Sequence, residues 1–150
     1  MTVESGARTY TYDSLGRLSQ RVSGLNDGSV LTESFTYTAP SATSASGQVA
    51  TVRLQGAGLD VTYSYTYDDN GNILTVSDGT NTTCYTYDKA NQLIREDNQG
   101  GGFTHVWRYD TAGNILSRTE YAYTTGSVDS LTPTDTVNYT YGDTDWGDLP

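Results

Sequence analysis

The sequence predicts an all-β protein built from repeated antiparallel hairpins, and three observations carry that expectation. Aromatic residues recur at every second position in short runs, each run is followed by an Asp-x-x-Gly turn signature, and an aliphatic residue stands two places beyond the turn. The phrase that joins them is written several times. "YTYDSLGRL" begins at Tyr10, "YTYDDNGNI" at Tyr65, "YTYDKANQL" at Tyr85 and "WRYDTAGNI" at Trp107. "FTYT" from Phe35 is a degenerate copy, and "YTYGDTDWG" from Tyr139 opens in the same way before departing. Successive copies lie about 20 to 30 residues apart, a spacing that marks stacked supersecondary units.

The strand comes first. In extended backbone, side chains alternate between faces, so Val61, Tyr63, Tyr65 and Tyr67 share one face while Thr62, Ser64 and Thr66 share the other. Tyr85 and Tyr87 divide from Thr86 in the same way, Tyr121 and Tyr123 from Ala122, and Tyr139 and Tyr141 from Thr140. Aromatic and β-branched residues suit a pleated, half-buried surface.

The turn follows. Asp13 and Gly16, Asp68 and Gly71, and Asp110 and Gly113 flank two variable residues. Asp folds its carboxylate onto nearby backbone, and Gly takes the positive φ that closes a type I turn in a hairpin bulge. The copy at Asp88 carries Asn91 in the glycine slot, and Asn is the residue other than Gly best tolerated there. The slot is therefore a backbone requirement. Leu18, Ile73, Leu93 and Ile115 then start the return strand and bring an aliphatic side chain back to the aromatic face.

A single hairpin is marginal in water, so the copies are expected to stack. Hairpin phrases are placed near 10–22, 35–38 (degenerate), 63–76, 85–96, 107–119 and 139–149 (partial), within one array over 1–150. Segments 38–48, 98–102 and 124–136, small, polar and punctuated by Gly and Pro, are read as loops.

Composition narrows the function classes. Hydrophobic residues make up 35%, and 13 tyrosines must supply much of the apolar surface. The formal charge of −10, from 18 acids against 8 Lys and Arg, disfavours nucleic acid and anionic membranes as partners. The lone Cys84 forms no internal disulfide and lacks a partner for a thiol metal site. Neither a secretion signal nor an apolar run of membrane-spanning length is present.

Catalytic, cofactor and metal residues are not assigned. The lone His105 stands in a predicted strand without a nucleophile signature, and Glu4, Glu33, Glu96 and Glu120 occupy no recurring slot. "DDNGN" from Asp68 offers alternating oxygens, yet Ile73 and Gly79 stand where an EF-hand needs Gly and Glu.

The phrase Y-x-Y-D-x-x-G-N/R-L/I resembles the YD repeats of the RHS family, which includes bacterial polymorphic-toxin carriers, shell-forming components of insecticidal toxin complexes, and teneurins. The residues that define the resemblance are Tyr10, Tyr12, Asp13 and Gly16; Tyr65, Tyr67, Asp68 and Gly71; Tyr85, Tyr87, Asp88 and Asn91; and Trp107, Tyr109, Asp110 and Gly113. It implies stacked hairpins forming a curved or spiralling sheet, part of a hollow β-shell or solenoid. In bacterial members the shell encloses a toxic C-terminal polypeptide, and the parent is large and secreted or surface-associated. This chain is expected to be a segment of such an array, partnered by the rest of the shell and an enclosed polypeptide. The aspartyl self-cleavage segment and toxin domain of bacterial members have no counterpart in these residues.

A structural scaffold is thus the expected function, with an adhesive or carbohydrate-binding surface as the alternative. In the alternative, Trp107 and Trp146 form the glycan platform. Open sheet edges are expected to promote self-association.

Overall fold

The computed structural model describes residues 6–39 and 47–142. Two compact units divide the chain, Met1–Thr80 and Asn81–Pro150. The first contains β1 (Arg8–Tyr12), β2 (Leu18–Gly24), β3 (Val30–Tyr37), β4 (Val49–Gly56), β5 (Leu59–Tyr67) and β6 (Ile73–Ser77). The second contains β7 (Thr82–Tyr87), β8 (Leu93–Asn98), β9 (Phe103–Tyr109), β10 (Ile115–Ala122) and β11 (Asp135–Asn138). Within each unit the strands follow chain order across the sheet, and the pairings described are antiparallel. The fold is all-β and hairpin-built, as the alternation requires. No helix among the described residues is long and apolar enough to cross a membrane.

The repeated phrase folds the same way at each site. Tyr12 pairs with Leu18, Tyr67 with Ile73, Tyr87 with Leu93 and Tyr109 with Ile115, each beside a register shift that accommodates one extra residue. That bulge turns the aliphatic residue toward the ring opposite it. Its cause lies in the turn. Gly16, Gly71, Asn91 and Gly113 take φ values of 77°, 91°, 60° and 94°, in the left-handed region. The backbone N–H of each Asp donates to the carbonyl four residues on, at 2.8–3.0 Å, and the slot residue's N–H returns to the Asp carbonyl.

The degenerate copy forms a complete hairpin. Tyr37 pairs with Val49 across the same bulge, Thr38 N–H donates to the Gln48 carbonyl at 2.7 Å, and Gln48 N–H donates to Thr38 Oγ1 at 3.1 Å. Thr38 thus does what Asp does elsewhere; of the segment 38–48 read as loop, residues 40–46 lie outside the described residues.

Two strand readings require correction. β10 ends at Ala122, so Tyr123 lies beyond it, and its N–H donates to the Gly102 carbonyl. β11 comprises residues 135–138, so it starts inside the segment read as loop and ends before Tyr139. Tyr139 N–H still donates to the Leu116 carbonyl, beside the bulge between Ile115 and Ser117 in the β9–β10 pairing.

Among the described residues no large apolar side chain is fully buried. Each unit is one sheet, and its rings and aliphatics are half-covered by their strand neighbours. The buried side chains are polar: Thr104 at 0%, Asp97 at 8% and His105 at 9% exposure.

Candidate functional site

The feature shared by the hairpins is a tyrosine hydroxyl that reaches backward to the previous strand. Tyr37 donates to the Leu18 carbonyl at 2.7 Å, Tyr67 to Val49 at 2.8 Å, Tyr109 to Leu93 at 2.7 Å and Tyr141 to Ile115 at 3.0 Å. In every case the acceptor belongs to the residue that begins the preceding return strand. The bulge and the staple are therefore one device: it turns the aliphatic side chain to the ring of its own hairpin and leaves the carbonyl for the ring of the next. Burial holds the Tyr67 and Tyr109 hydroxyls above the ordinary phenol value, so they remain donors. At the outermost strand the device is unfilled. Tyr12 is 59% exposed, and β2 is the only strand beside β1 among the described residues.

The turn carboxylates are structural groups. Asp68 Oδ1 accepts the N–H groups of Asn70 and Asn72 while Oδ2 accepts Asn72 Nδ2 at 2.9 Å; Asp110 repeats this with Ala112 and Asn114. Asp13 uses Leu15 and Arg17, with Arg17 Nε on Oδ2 at 2.7 Å. The Arg17 guanidinium also lies over the Tyr37 ring, 4.2 Å from its centroid, which ties one turn to the next hairpin. The side-chain amides of Asn72 and Asn114 hold Asp68 and Asp110 below the usual carboxylate range, and the Arg17 N–H does so for Asp13.

The second unit carries polar clusters on opposite faces of β9. On one, His105 Nε2 lies 3.0 Å from Glu120 Oε2 and Nδ1 lies 3.4 Å from Glu96 Oε2, with the Phe103 and Trp107 rings on either side along the strand. The hydrogen bond with His105 holds Glu120 below its usual range. On the other, Thr104 Oγ1 donates to Asp97 Oδ1 at 2.9 Å, and Arg95 donates to Asp97 and to the carbonyls of Thr124 and Gly126 at 2.8 Å. These bonds anchor the 124–134 segment, so the residues read as loop are tied down at their start. Thr134 N–H ties the far end to the Glu120 carbonyl.

The structure thus disperses the repeat-defining residues along the hairpins. Among the described residues no group of three or more His, Cys, Asp or Glu side chains is arranged to hold a metal ion. Trp107 lies on β9 in an open cleft with Asp88 and Gln92, whereas Trp146 lies outside the described residues. Sequence reasoning missed the carbonyl partners of the tyrosines and the two glutamates around His105. The invariant aliphatic offset was the available signal for the former; the latter depend on cross-strand register, Glu96 with His105 and His105 with Glu120.

A family model described as teneurin YD-shell matches residues 4–145. The chain belongs to the teneurin YD-shell family. The match covers nearly all of the repeat array and makes the chain a structural repeat module of a shell-like protein. Among curated proteins the comparison found no match. In the YD-shell context the Asp of each repeat is the residue that closes the turn, and the second Tyr is the residue that fastens one hairpin to the one before.

Proposed function

We propose that the chain is a stretch of wall in a secreted or cell-surface YD shell whose parent protein encloses its own C-terminal polypeptide. The observation that carries this reading is the tyrosine staple, which fastens hairpins edge to edge and involves no ligand. A wall needs cohesion between repeats more than a deep core, and the chain has that distribution: many cross-strand bonds, and among the described residues no fully buried large apolar group. The edge of β1, with Tyr12 and Tyr10 exposed, is the place where another hairpin of the shell adds.

Two measurements test the reading. Tyr67→Phe and Tyr109→Phe, which remove one hydroxyl each, should lower stability by about 1 kcal/mol apiece in chemical denaturation, while Tyr12→Phe changes nothing. Equal effects at the three positions would reject the staple. In the parent protein, the C-terminal polypeptide should resist protease while the shell is intact and become digestible when Tyr37, Tyr67, Tyr109 and Tyr141 are all Phe. Rapid digestion without those changes would reject enclosure.

A further inference from the structure

The segment between β10 and β11 is held at both ends and leaves a space beside the sheet. Arg95 grips the carbonyls of Thr124 and Gly126, Thr134 N–H donates to the Glu120 carbonyl, and between these anchors Leu131 N–H closes a turn on the Val128 carbonyl at 3.0 Å. Val128, Leu131 and Pro133 line one side of a cleft of about 550 Å³. That volume lies within the range of small-molecule sites.

Register sets what the sheet contributes. Paired residues of neighbouring strands project to the same face, so Val106, Thr119 and Thr136 form one row across β9, β10 and β11, and Arg108, Ser117 and Asn138 form the next. All six line the cleft. The polar groups among them are left unused by the protein. In the first unit Thr36 faces Thr51 and Thr66 faces Thr75, and each pair of hydroxyls is joined at 2.6 Å. Thr119 faces Thr136 in the same way, yet among the described residues neither hydroxyl has a hydrogen-bond partner.

The arginines sharpen the contrast. Arg17, Arg21, Arg53, Arg95 and Arg118 are each ion-paired with a carboxylate. Arg108 has no such partner among the described residues, although the chain holds 18 acids against 8 Lys and Arg. Asp129 also lines the cleft, but its Oδ2 accepts the Ser127 hydroxyl at 2.7 Å.

The row of Arg108, Ser117 and Asn138 therefore sets a guanidinium, a hydroxyl and an amide side by side, a donor set that suits one carboxylate. The adjoining row begins with Val106, and with Val128, Leu131 and Pro133 it supplies apolar surface. Asp129 disfavours a second negative charge, and for a single small anion the repulsion of the distant acids is screened beyond about 10 Å at 0.1 M salt. We propose that this cleft binds a small monocarboxylic acid with an apolar body, its carboxylate on Arg108, Ser117 and Asn138 and its body between Val106 and the 128–133 turn. None of these residues takes part in a tyrosine staple, so the site is independent of the wall function.

The test titrates the full chain with phenylacetate and octanoate and follows backbone amide shifts by NMR, with phenylacetamide as the uncharged counterpart. At least one acid should give saturable shifts concentrated in residues 106–138, and the amide should bind at least about tenfold more weakly. Arg108 is exposed and unpaired, so Arg108→Gln should keep its melting temperature while affinity for the acid falls by at least about tenfold. Arg108→Lys keeps the charge without the fork and should fall between the two. Asn138→Ala, at a second exposed position, should weaken the acid several-fold and gives an independent reading should the Arg108 variants melt lower. No saturation by either acid, shifts centred elsewhere, equal binding of the amide, or unchanged affinity in the Arg108→Gln and Asn138→Ala variants would overturn the proposal.

Discussion

The two units use the same hairpin and differ in what lies against it. In the first, strand is joined to strand by exposed hydroxyl pairs, Thr36 with Thr51 and Thr66 with Thr75 at 2.6 Å, and by surface ion pairs such as Arg53 with Asp60. In the second, residues 124–134 are tied to β8, β9 and β10, and beneath that attachment Thr104 is fully buried and Asp97 nearly so. The same ladder carries a solvated polar face in one place and a desolvated one in the other. A carboxylate–guanidinium pair should therefore have a different energetic weight in each.

That contrast gives the largest expected effect. Asp97→Ala removes the partner of Arg95 and of buried Thr104, and should cost about 3 kcal/mol in urea unfolding, because charge and hydroxyl are stranded away from water. Asp60→Ala removes a partner that is 56% exposed, and the surrounding water replaces it, so unfolding should be unchanged. Comparable losses would mean that the attached segment does not exclude water from the Asp97 cluster.

The turns offer a smaller contrast. Gly16 and Gly113 both hold positive φ, but a methyl on Gly16 meets open space while one on Gly113 meets Gln92 Nε2. Gly16→Ala should cost about 1 kcal/mol from backbone conformation alone, and Gly113→Ala somewhat more. Adding Gln92→Asn should bring the second value back to the first, measured as the midpoint of thermal unfolding. A Gly113 variant insensitive to residue 92 would mean that the amide does not rest over the turn.

Most of the hairpin was legible because it is local. Alternation gave the faces of β5 and β7, the Asp and Gly slots gave the turns, and Asn91 in the glycine slot showed that conformation alone was required. What was not legible depends on residues distant in sequence. Thr38 and Gln48 close a hairpin without the signature, through bonds between residues ten positions apart that no local pattern marks. His105 looked solitary because Glu96 and Glu120 reach it only through the pairing of β8 and β10 with β9. Segment 124–136 read as loop from composition, since the carbonyls that Arg95 grips carry no side-chain identity. Trp107 was visible as an aromatic candidate, whereas the placement of the Gln92 amide over Gly113, shared by Gln48 over Gly71, depends on the neighbouring hairpin and carries no local signal.

The smallest effect concerns pH, and in it the two units should behave alike. Asp13 and Asp68 in the first unit and Asp110 in the second lie below their ordinary carboxylate value in the folded chain, each through bonds from the residue four places on. A carboxyl lowered by folding contributes stability above its unfolded value of about 4 and loses that contribution as pH falls through the folded value. Melting temperature should thus be level between about pH 7 and 5 and decline below about pH 4. Asp68→Asn with Asp110→Asn keeps an oxygen for the backbone N–H groups but does not titrate, so the acid decline should become shallower. Glu120, lowered chiefly by its bond with His105, adds to the decline in the second unit, and Glu120→Gln should remove that share. An acid limb of unchanged steepness in the combined variant would place the proton-sensitive groups outside the Asp68 and Asp110 turns and the His105 cluster.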